Sequence, residues 1–439
     1  SGEPLWSDGV VKLTFKPSRK SVFRMIAMGG YSSISIEARK RREGDWGVTE
    51  PSENLYFSTQ SGLVLMSAKF FLSEGISINS SLAFTAYDLS VKSDSVGLTA
   101  TYPSFHASYP EHKIALYNSF RKEISRYISI QAGWTISFNQ NGRERKEWEY
   151  GFSNSFQETS DRIFFASSNR YLQFNFKIPL SGVSVIAGVH SQYSGLSGKN
   201  SLEPRFIIKK IIGSAEVFIG NGLHAQHPLP LYFFERQTKI GYYYSWHNTG
   251  GINLPLSSLF SLKIEAYYQY LFDVPVSSSA TFYSMLIEGD RLEGITVYSN
   301  LENKGKGKNY GIEITAEHSF HNGFYFLSNL SLFDSWYTDY NGKWHRTPFS
   351  NNIVFNLLAG KEWQVKNVIL SLDIKYNYTG GKRYTPILLD MSRLLGYTYR
   401  DWEHPYEKKY PPYSRFDIKA GTKINTSKHT HTLFVTIEN

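Results

Sequence analysis

The chain has 439 residues and no cysteine, and its composition (41% hydrophobic, 16% aromatic, 19% charged) excludes a disordered tail, a collagen-like fibre and a disulfide-stapled secreted domain. The net charge of +9 comes from basic residues spread along the chain, which argues against a nucleic-acid partner. The mean hydropathy is −0.34 and no stretch approaches the ~18 uncharged apolar residues of a membrane-spanning helix, which leaves a soluble protein or a transmembrane β-barrel.

Apolar and polar residues alternate with period two over long stretches, a pattern typical of strands that have one apolar and one polar face. In chain order the runs are 128–138, 172–178, 260–270, 310–316, 370–378 and 416–420. The longest runs match the ~9 to 11 residues that a tilted strand needs to cross a bilayer, whereas strands of soluble sheets usually have ~5 or 6. No amphipathic helix is indicated.

The polar positions of these runs carry full charges. In a small sandwich they would face bulk solvent, but on strands of this length they favour a wide, water-filled lumen. We expect the following residues to line it: Lys263, Glu265, Glu313, Glu317, Asp373, Lys375, Arg415, Asp417 and Lys419.

Short and long connections mostly alternate along the chain, as they do in outer-membrane barrels. Tight turns are predicted at 73–75, 125–126, 180–182, 257–258 and at Asn322-Gly323, a favoured hairpin dipeptide. Long irregular stretches are predicted at 88–111, 193–202, 222–235, 274–308, 335–347 and 380–412. The order of connections is left unassigned over 147–171.

Aromatic residues cluster where the alternating runs end, for example at Tyr268, Tyr270 and Phe272 and again at Trp336 and Tyr337. Amphipathic rings prefer the headgroup level of a membrane, so this placement favours a barrel. Ordinary core aromatics of a β-rich soluble protein remain the alternative.

Motifs for catalysis are weak. Gly305, Gly307 and Gly311 lack the spacing of a dinucleotide loop, and the histidine pairs 224/227 and 429/431 have no third metal ligand at a recognisable spacing. We therefore expect no enzymatic activity, no cofactor and no metal site. Aromatic and basic residues of the long connections suit ligand capture, and the candidates are Trp344, His345, Lys382, Arg383, Trp402 and Tyr406.

The C-terminal half resembles the barrel of a TonB-dependent outer-membrane receptor. The resemblance lies in the segments 202–206, 222–230, 265–275, 309–313, 380–386 and 413–417, and it spans about residues 183 to 439. It implies a bacterial outer-membrane location and contact with outer-membrane lipid and lipopolysaccharide. It also implies a small-molecule, peptide or glycan ligand, and a TonB-type energy transducer that acts on the intact protein.

We therefore expect residues 1–439 to form one all-β domain, a transmembrane antiparallel up-and-down barrel of about 16 to 22 strands. Residues 1–120 do not resemble the plug of such receptors, and the C-terminal segment resembles their penultimate portion, so we expect a fragment of a larger protein. A passive porin and a soluble β-rich adhesin or glycan-binding module are the alternative functions.

Overall fold

A computed structural model describes residues 2–38, 52–97, 100–149, 155–234, 240–289 and 298–438. Strands dominate these ranges, and the helices are short. The strands are β1 (Gly2–Ser18), β2 (Ser21–Ile36), β3 (Glu53–Ser73), β4 (Ile76–Val96), β5 (Thr101–Ser108), β6 (Glu111–Ser125), β7 (Ile128–Glu149), β8 (Ser155–Ile178), β9 (Val183–Ser194), β10 (Lys199–Ile212), β11 (Ala215–Gln226), β12 (Tyr243–Pro255), β13 (Phe260–Ser277), β14 (Leu301–His321), β15 (Phe324–Thr338), β16 (Trp344–Arg346), β17 (Ile353–Val365), β18 (Val368–Thr379), β19 (Arg383–Tyr384), β20 (Lys408–Lys409), β21 (Tyr413–Asn425) and β22 (Thr430–Ile437). The helices are α1 (Leu231–Phe234) and α2 (Leu389–Leu395), with a 3-10 turn at Met285–Ile287.

Twenty of these strands belong to one antiparallel up-and-down sheet, and β19 and β20 form a separate two-stranded ribbon. The predicted all-β architecture is confirmed, and the strand number lies within the predicted range. No helix in the described ranges is long and apolar enough to cross a membrane.

The residues form two compact units. The first contains Ser1–Asn175, Gly188–Leu202 and His227–Gly241, and the second contains Phe176–Ala187, Glu203–Gln226 and Tyr242–Asn439.

In the first unit, β1 to β4 pair in sequence, β4 pairs with β6, and β6 pairs with β7. The short strand β5 pairs with the ends of β4 and β7. Hydroxyls and amides hydrogen-bond across one face, as in Ser137 to Ser167 at 2.7 Å and Asn175 to Ser129 at 3.0 Å. The other face exposes large apolar side chains such as Ile136 and Phe138.

In the second unit, β10 to β15 pair in sequence, and the order continues through β17, β18, β21 and β22. Tight turns join strands at one end of this sheet, while the long connections 278–300, 339–352 and 380–412 all follow strands that run to the other end. The Asn322-Gly323 hairpin is confirmed: both residues have positive φ (49° and 73°), as a type I′ turn requires.

Several fully buried side chains of the second unit lie where β13 and β15 meet the long connections, or within those connections. Val274, Val276, Tyr337 and Tyr283 are all at most 2% exposed. Midway along the strands, by contrast, Ile312 and Leu372 are more than 40% exposed on the apolar face. A sheet that leaves its apolar face open in this way fits a lipid environment.

Several stretches predicted as irregular are in fact strand. β4 continues to Val96, β11 to Gln226 and β13 to Ser277, β14 starts at Leu301, and β8 fills most of the unassigned region 147–171. The predicted irregular stretch 88–111 is therefore wrong for most of its length, which β4 and β5 occupy. The predicted stretches 193–202, 222–235, 274–308 and 335–347 also include strand residues. The reason is that backbone pairing continues where the apolar alternation has ended: residues 303–308 of β14 are only Asn, Lys and Gly, and Val274, Pro275 and Val276 of β13 are consecutive buried apolar residues.

The facing of β18 gives a direct test. Leu372→Arg should destabilise the folded protein by about 2 to 4 kcal/mol, because the charge would enter hydrocarbon near the centre of the strand. Ser371→Arg, the neighbour on the polar face, should change stability far less. Urea titration of the protein folded in liposomes measures both, and equal losses for the two variants would contradict a membrane-embedded sheet.

Candidate ligand-binding site

The strand registers bring all nine charged residues predicted to line a lumen to the polar face of the second unit. Glu265 pairs with Glu313, Asp373 with Lys419, and Lys375 with Asp417. Directly opposed residues of neighbouring strands share one face. The cross-strand pairing therefore places the charged residues of β13, β14, β18 and β21 on the same face of the sheet. Glu317 lies on this face opposite Ser261.

Four of these nine residues form ion pairs along their own strands. Lys263 Nζ lies 2.7 Å from Glu265 Oε2, and Arg415 Nε lies 2.8 Å from Asp417 Oδ1. Each pair is formed between residues two positions apart on the same strand. The face is therefore strongly polar but carries charges of both signs close together.

A cavity of about 550 Å³ opens on this polar face close to the long connections. Its lining is mixed polar and aromatic: Tyr267, Gln269, Leu286, Asn309, Glu313, Phe333, Asp334, Ser335, Thr347 and Phe349. All of these residues belong to the second unit. The cavity has the size and composition of a small-molecule site.

The wall of the cavity is a row of hydrogen-bonding side chains fixed by cross-strand pairing. Asn309 Nδ2 donates to Gln269 Oε1 at 3.1 Å, and Ser335 Oγ donates to Asn309 Oδ1 at 2.7 Å. Gly311 leaves room for the ring of Tyr267, whose hydroxyl lies 2.8 Å from where a β-carbon would sit. The wall is thus held in place before any ligand arrives.

One polar group in this cavity has no partner. The hydroxyl of Thr347 is buried and makes no hydrogen bond to any part of the chain that the structure describes. An unpaired buried hydroxyl is costly, but this oxygen is closed to solvent and does not face the open space of the cavity.

The three long connections of the second unit pack against one another. The rings of Phe282 and Trp402 stack with centroids 3.8 Å apart. The backbone N–H of Tyr340 donates to Thr281 at 2.9 Å, and Lys343 Nζ donates to the carbonyl of Glu403 at 3.2 Å. The connections form one contiguous structure at this end of the sheet.

Three of the six predicted ligand-capturing residues are buried in that structure. Arg383 is 7% exposed and donates to the carbonyls of Ser350, Tyr406 and Glu407 at 3.2 to 3.4 Å. Tyr406 is 5% exposed and His345 is 8% exposed. These side chains hold the connections together, and in this conformation they do not present a surface to a ligand.

The other three predicted residues lie nearer the surface. Trp344 is 37% exposed and has the Lys308 ammonium 4.8 Å from its ring centroid. Trp402 covers Phe282, and Lys382 accepts a hydrogen bond on its carbonyl from the N–H of Tyr410. None of the six lines the cavity, so the predicted contacts and the cavity are separate features, and the predicted contacts stay a prediction.

The side chain of Asp339 binds His345 and also caps the turn at residues 339–343 that precedes His345. His345 Nε2 lies 3.1 Å from Asp339 Oδ2, and Asp339 Oδ1 accepts the backbone N–H of Lys343 at 2.9 Å. Burial lowers the pKa of His345, and the carboxylate of Asp339 offsets only part of that effect. The imidazole is therefore neutral near pH 7 and donates to the carboxylate.

Metal-ligating residues are not gathered into a site in the ranges that the structure describes, where no group of three or more His, Cys, Asp or Glu side chains could hold an ion.

The fold closely resembles those of solved outer-membrane receptors and transporters. The chain matches BauA, the ferric preacinetobactin receptor from Acinetobacter baumannii, with a TM-score of 0.69 at 12% identity, over 99% of this chain and 68% of that one. It matches the copper transporter OprC with a TM-score of 0.67 at 9% identity, over 98% of this chain and 66% of that one. It matches FyuA, the ferric yersiniabactin uptake receptor from Yersinia pestis, with a TM-score of 0.67 at 11% identity, over 98% and 69%.

The predicted resemblance to TonB-dependent outer-membrane receptors is confirmed at the level of the fold. The chain spans about two thirds of the length of these proteins, and 61% of the ferripyoverdine receptor from Pseudomonas aeruginosa. No protein-family description and no curated protein matches the sequence.

The lowered pKa of His345 predicts that the local stability of the connection 339–352 depends on pH. In the unfolded segment His345 is protonated near pH 6.5, whereas in the folded segment its pKa is lower. The stability that His345 contributes is therefore present above about pH 6.5 and is lost as pH falls below that value. The protection factors of the amides in 339–347, which compare the observed exchange with the intrinsic rate at the same pH, should therefore fall between about pH 7.5 and about pH 5.5. In His345→Gln the change should be much smaller, and an unchanged pH response in that variant would show that another group is responsible.

Proposed function

We propose that this chain is the barrel portion of a bacterial outer-membrane receptor that binds a small metal complex and passes it inward. The observation that best supports this proposal is the polar cavity close to the packed connections. It lies on a chain whose fold matches solved receptors over almost its whole length. In this proposal the apolar face contacts membrane lipid, the charged face lines the lumen, and the long connections face the exterior.

The ligand would be recognised by preorganised hydrogen-bonding groups. Gln269 and Asn309 present amides, and Glu313 presents a carboxylate. This set suits a polar ligand with several donors and acceptors. Metal chelates belong to that class, and the titles of the matched receptors name ferric siderophores and copper.

Transport in this proposal needs no bond chemistry. Paired charges of opposite sign along the polar face keep the path hydrated without holding a charged solute tightly. Energy would come from an inner-membrane TonB-type transducer that acts on the intact protein, and the lumen-lining role of the nine charged residues belongs to the same proposal.

Uptake assays test this function. Cells that express the intact protein should accumulate one of three radiolabelled probes (a ferric catecholate, a ferric hydroxamate or copper(II)), and a protonophore should abolish the accumulation. Glu313→Gln and Asn309→Leu should each weaken binding of that probe on the order of tenfold, because each removes a hydrogen-bonding group from a buried wall. Ser371→Ala, on the same face but outside the cavity, serves as the matched control.

A passive porin would behave differently. It would give ohmic conductance in planar bilayers and uptake that a protonophore does not affect. That pair of results would contradict the receptor proposal while leaving the fold unchanged, and stable monomeric behaviour without detergent would instead favour a soluble adhesin.

A further inference from the structure

The polar cavity contains an acidic side chain that the described part of the chain does not neutralise. Glu313 of β14 lines the cavity, and the strand register places it directly opposite Glu265 of β13. Lys263 Nζ lies 2.7 Å from Glu265 Oε2, whereas Glu313 forms no ion pair and no side-chain hydrogen bond within the described ranges. Like charges that oppose each other across a strand pair are destabilising. One negative charge is therefore left in excess at the wall of the cavity.

The other acidic residue of the lining already has its partners. The carboxylate of Asp334 accepts hydrogen bonds from the backbone N–H of Ser335 at 3.0 Å and from Nε1 of Trp336 at 3.0 Å. It also accepts one from Nε of Arg346 at 3.1 Å, and this guanidinium balances its charge. Glu313 is thus the acidic group of the cavity that a ligand can still neutralise.

The lining of the cavity, drawn from the described residues, contains no Lys, Arg or His. Lys308 is close to Glu313 in the sequence, but the two lie an odd number of residues apart on β14. Successive residues of a strand point to opposite faces, so Lys308 projects away from the cavity. Its ammonium lies 5.3 Å from the ring centroid of Trp336 instead. The cavity is therefore locally acidic on a chain whose net charge is +9.

Aromatic rings complete the surroundings of Glu313, because Tyr267, Phe333 and Phe349 line the same cavity. Gly311 makes room for two of them: a β-carbon there would lie 2.8 Å from the Tyr267 hydroxyl and 2.9 Å from the Phe333 β-carbon. The faces of aromatic rings attract cations. Glu313 is half-buried, so solvent and salt screen its charge less than they would at an open surface. Rings beside an uncompensated carboxylate form a favourable environment for a cation.

We propose that the ligand of this cavity carries a cationic nitrogen group, an ammonium or a guanidinium, and that Glu313 selects it by charge. The cation would supply the counter-charge that the wall lacks and would lie against the rings of Tyr267 and Phe333. An anionic ligand would instead place a further negative charge beside Glu265 and Glu313, which costs binding free energy. The inference deepens the function proposed above and rests on it, since the metal complex would be one that presents a free amine or guanidine.

Three probes of similar shape test this selection. Para-fluorobenzylammonium, para-fluorobenzyl alcohol and para-fluorophenylacetate share one ring and carry a positive, a zero and a negative charge. Fluorine NMR titration of the intact protein in a non-ionic detergent measures the affinity of each. The ammonium should bind in about the millimolar range and on the order of tenfold more tightly than the alcohol, and the acetate should bind most weakly. Glu313→Gln should abolish the difference between ammonium and alcohol, whereas Glu313→Asp, which keeps the charge, should retain most of it.

Glu317→Gln is the matched control. It removes the same charge from the same face of β14, but Glu317 does not line the cavity, so this variant should bind all three probes as the unmodified protein does. The proposal would be overturned if the acetate bound as tightly as the ammonium, or if the preference for the ammonium survived in Glu313→Gln. Equal losses in the two Gln variants would overturn it as well.

Uptake of the radiolabelled ferric and copper probes separates this inference from the proposed function. Energised uptake by a protein that shows no preference for the ammonium would refute the charge selection alone. A clear preference for the ammonium in a protein without such uptake would refute the receptor role and leave the charge selection of the cavity standing.

Discussion

The structure depends first on the need to pair every backbone N–H and C=O group. In hydrocarbon an unpaired backbone group costs several kcal/mol, so strands must continue as unbroken antiparallel ladders across the apolar zone. Once the ladder registers are set, every side chain is assigned to one of two faces. The charged polar face and the exposed apolar face both follow from that single assignment.

The period-two alternation was sufficient to predict the fold class and the faces of the strands, because facing depends only on parity along the chain. The strand registers place Lys263 and Lys419, which are far apart in the sequence, on the same polar face. The hairpin at Asn322-Gly323 was equally predictable, since its positive φ values leave few residue choices. These features are local in the sequence.

The binding site was far less predictable, because it depends on register and on packing between distant connections. Asn309 contacts Gln269 only because β13 pairs with β14. Thr347, which also lines the cavity, comes from the connection 339–352. Arg383 and Tyr406 have residue types that suit ligand capture, yet the connections bury both. Residue type alone does not distinguish a side chain that contacts ligand from one that supports the loop.

Arg383 also determines where the long connection 380–412 can vary. Its guanidinium binds the carbonyls of residues 350, 406 and 407, so the two ends of this connection are tied to each other and to the connection 339–352. The tip between these ends carries α2, whose Leu389 and Leu394 are 64% and 78% exposed. Substitutions and length changes at the tip should therefore leave the base of the connection intact, because the tip makes none of the contacts that hold the base.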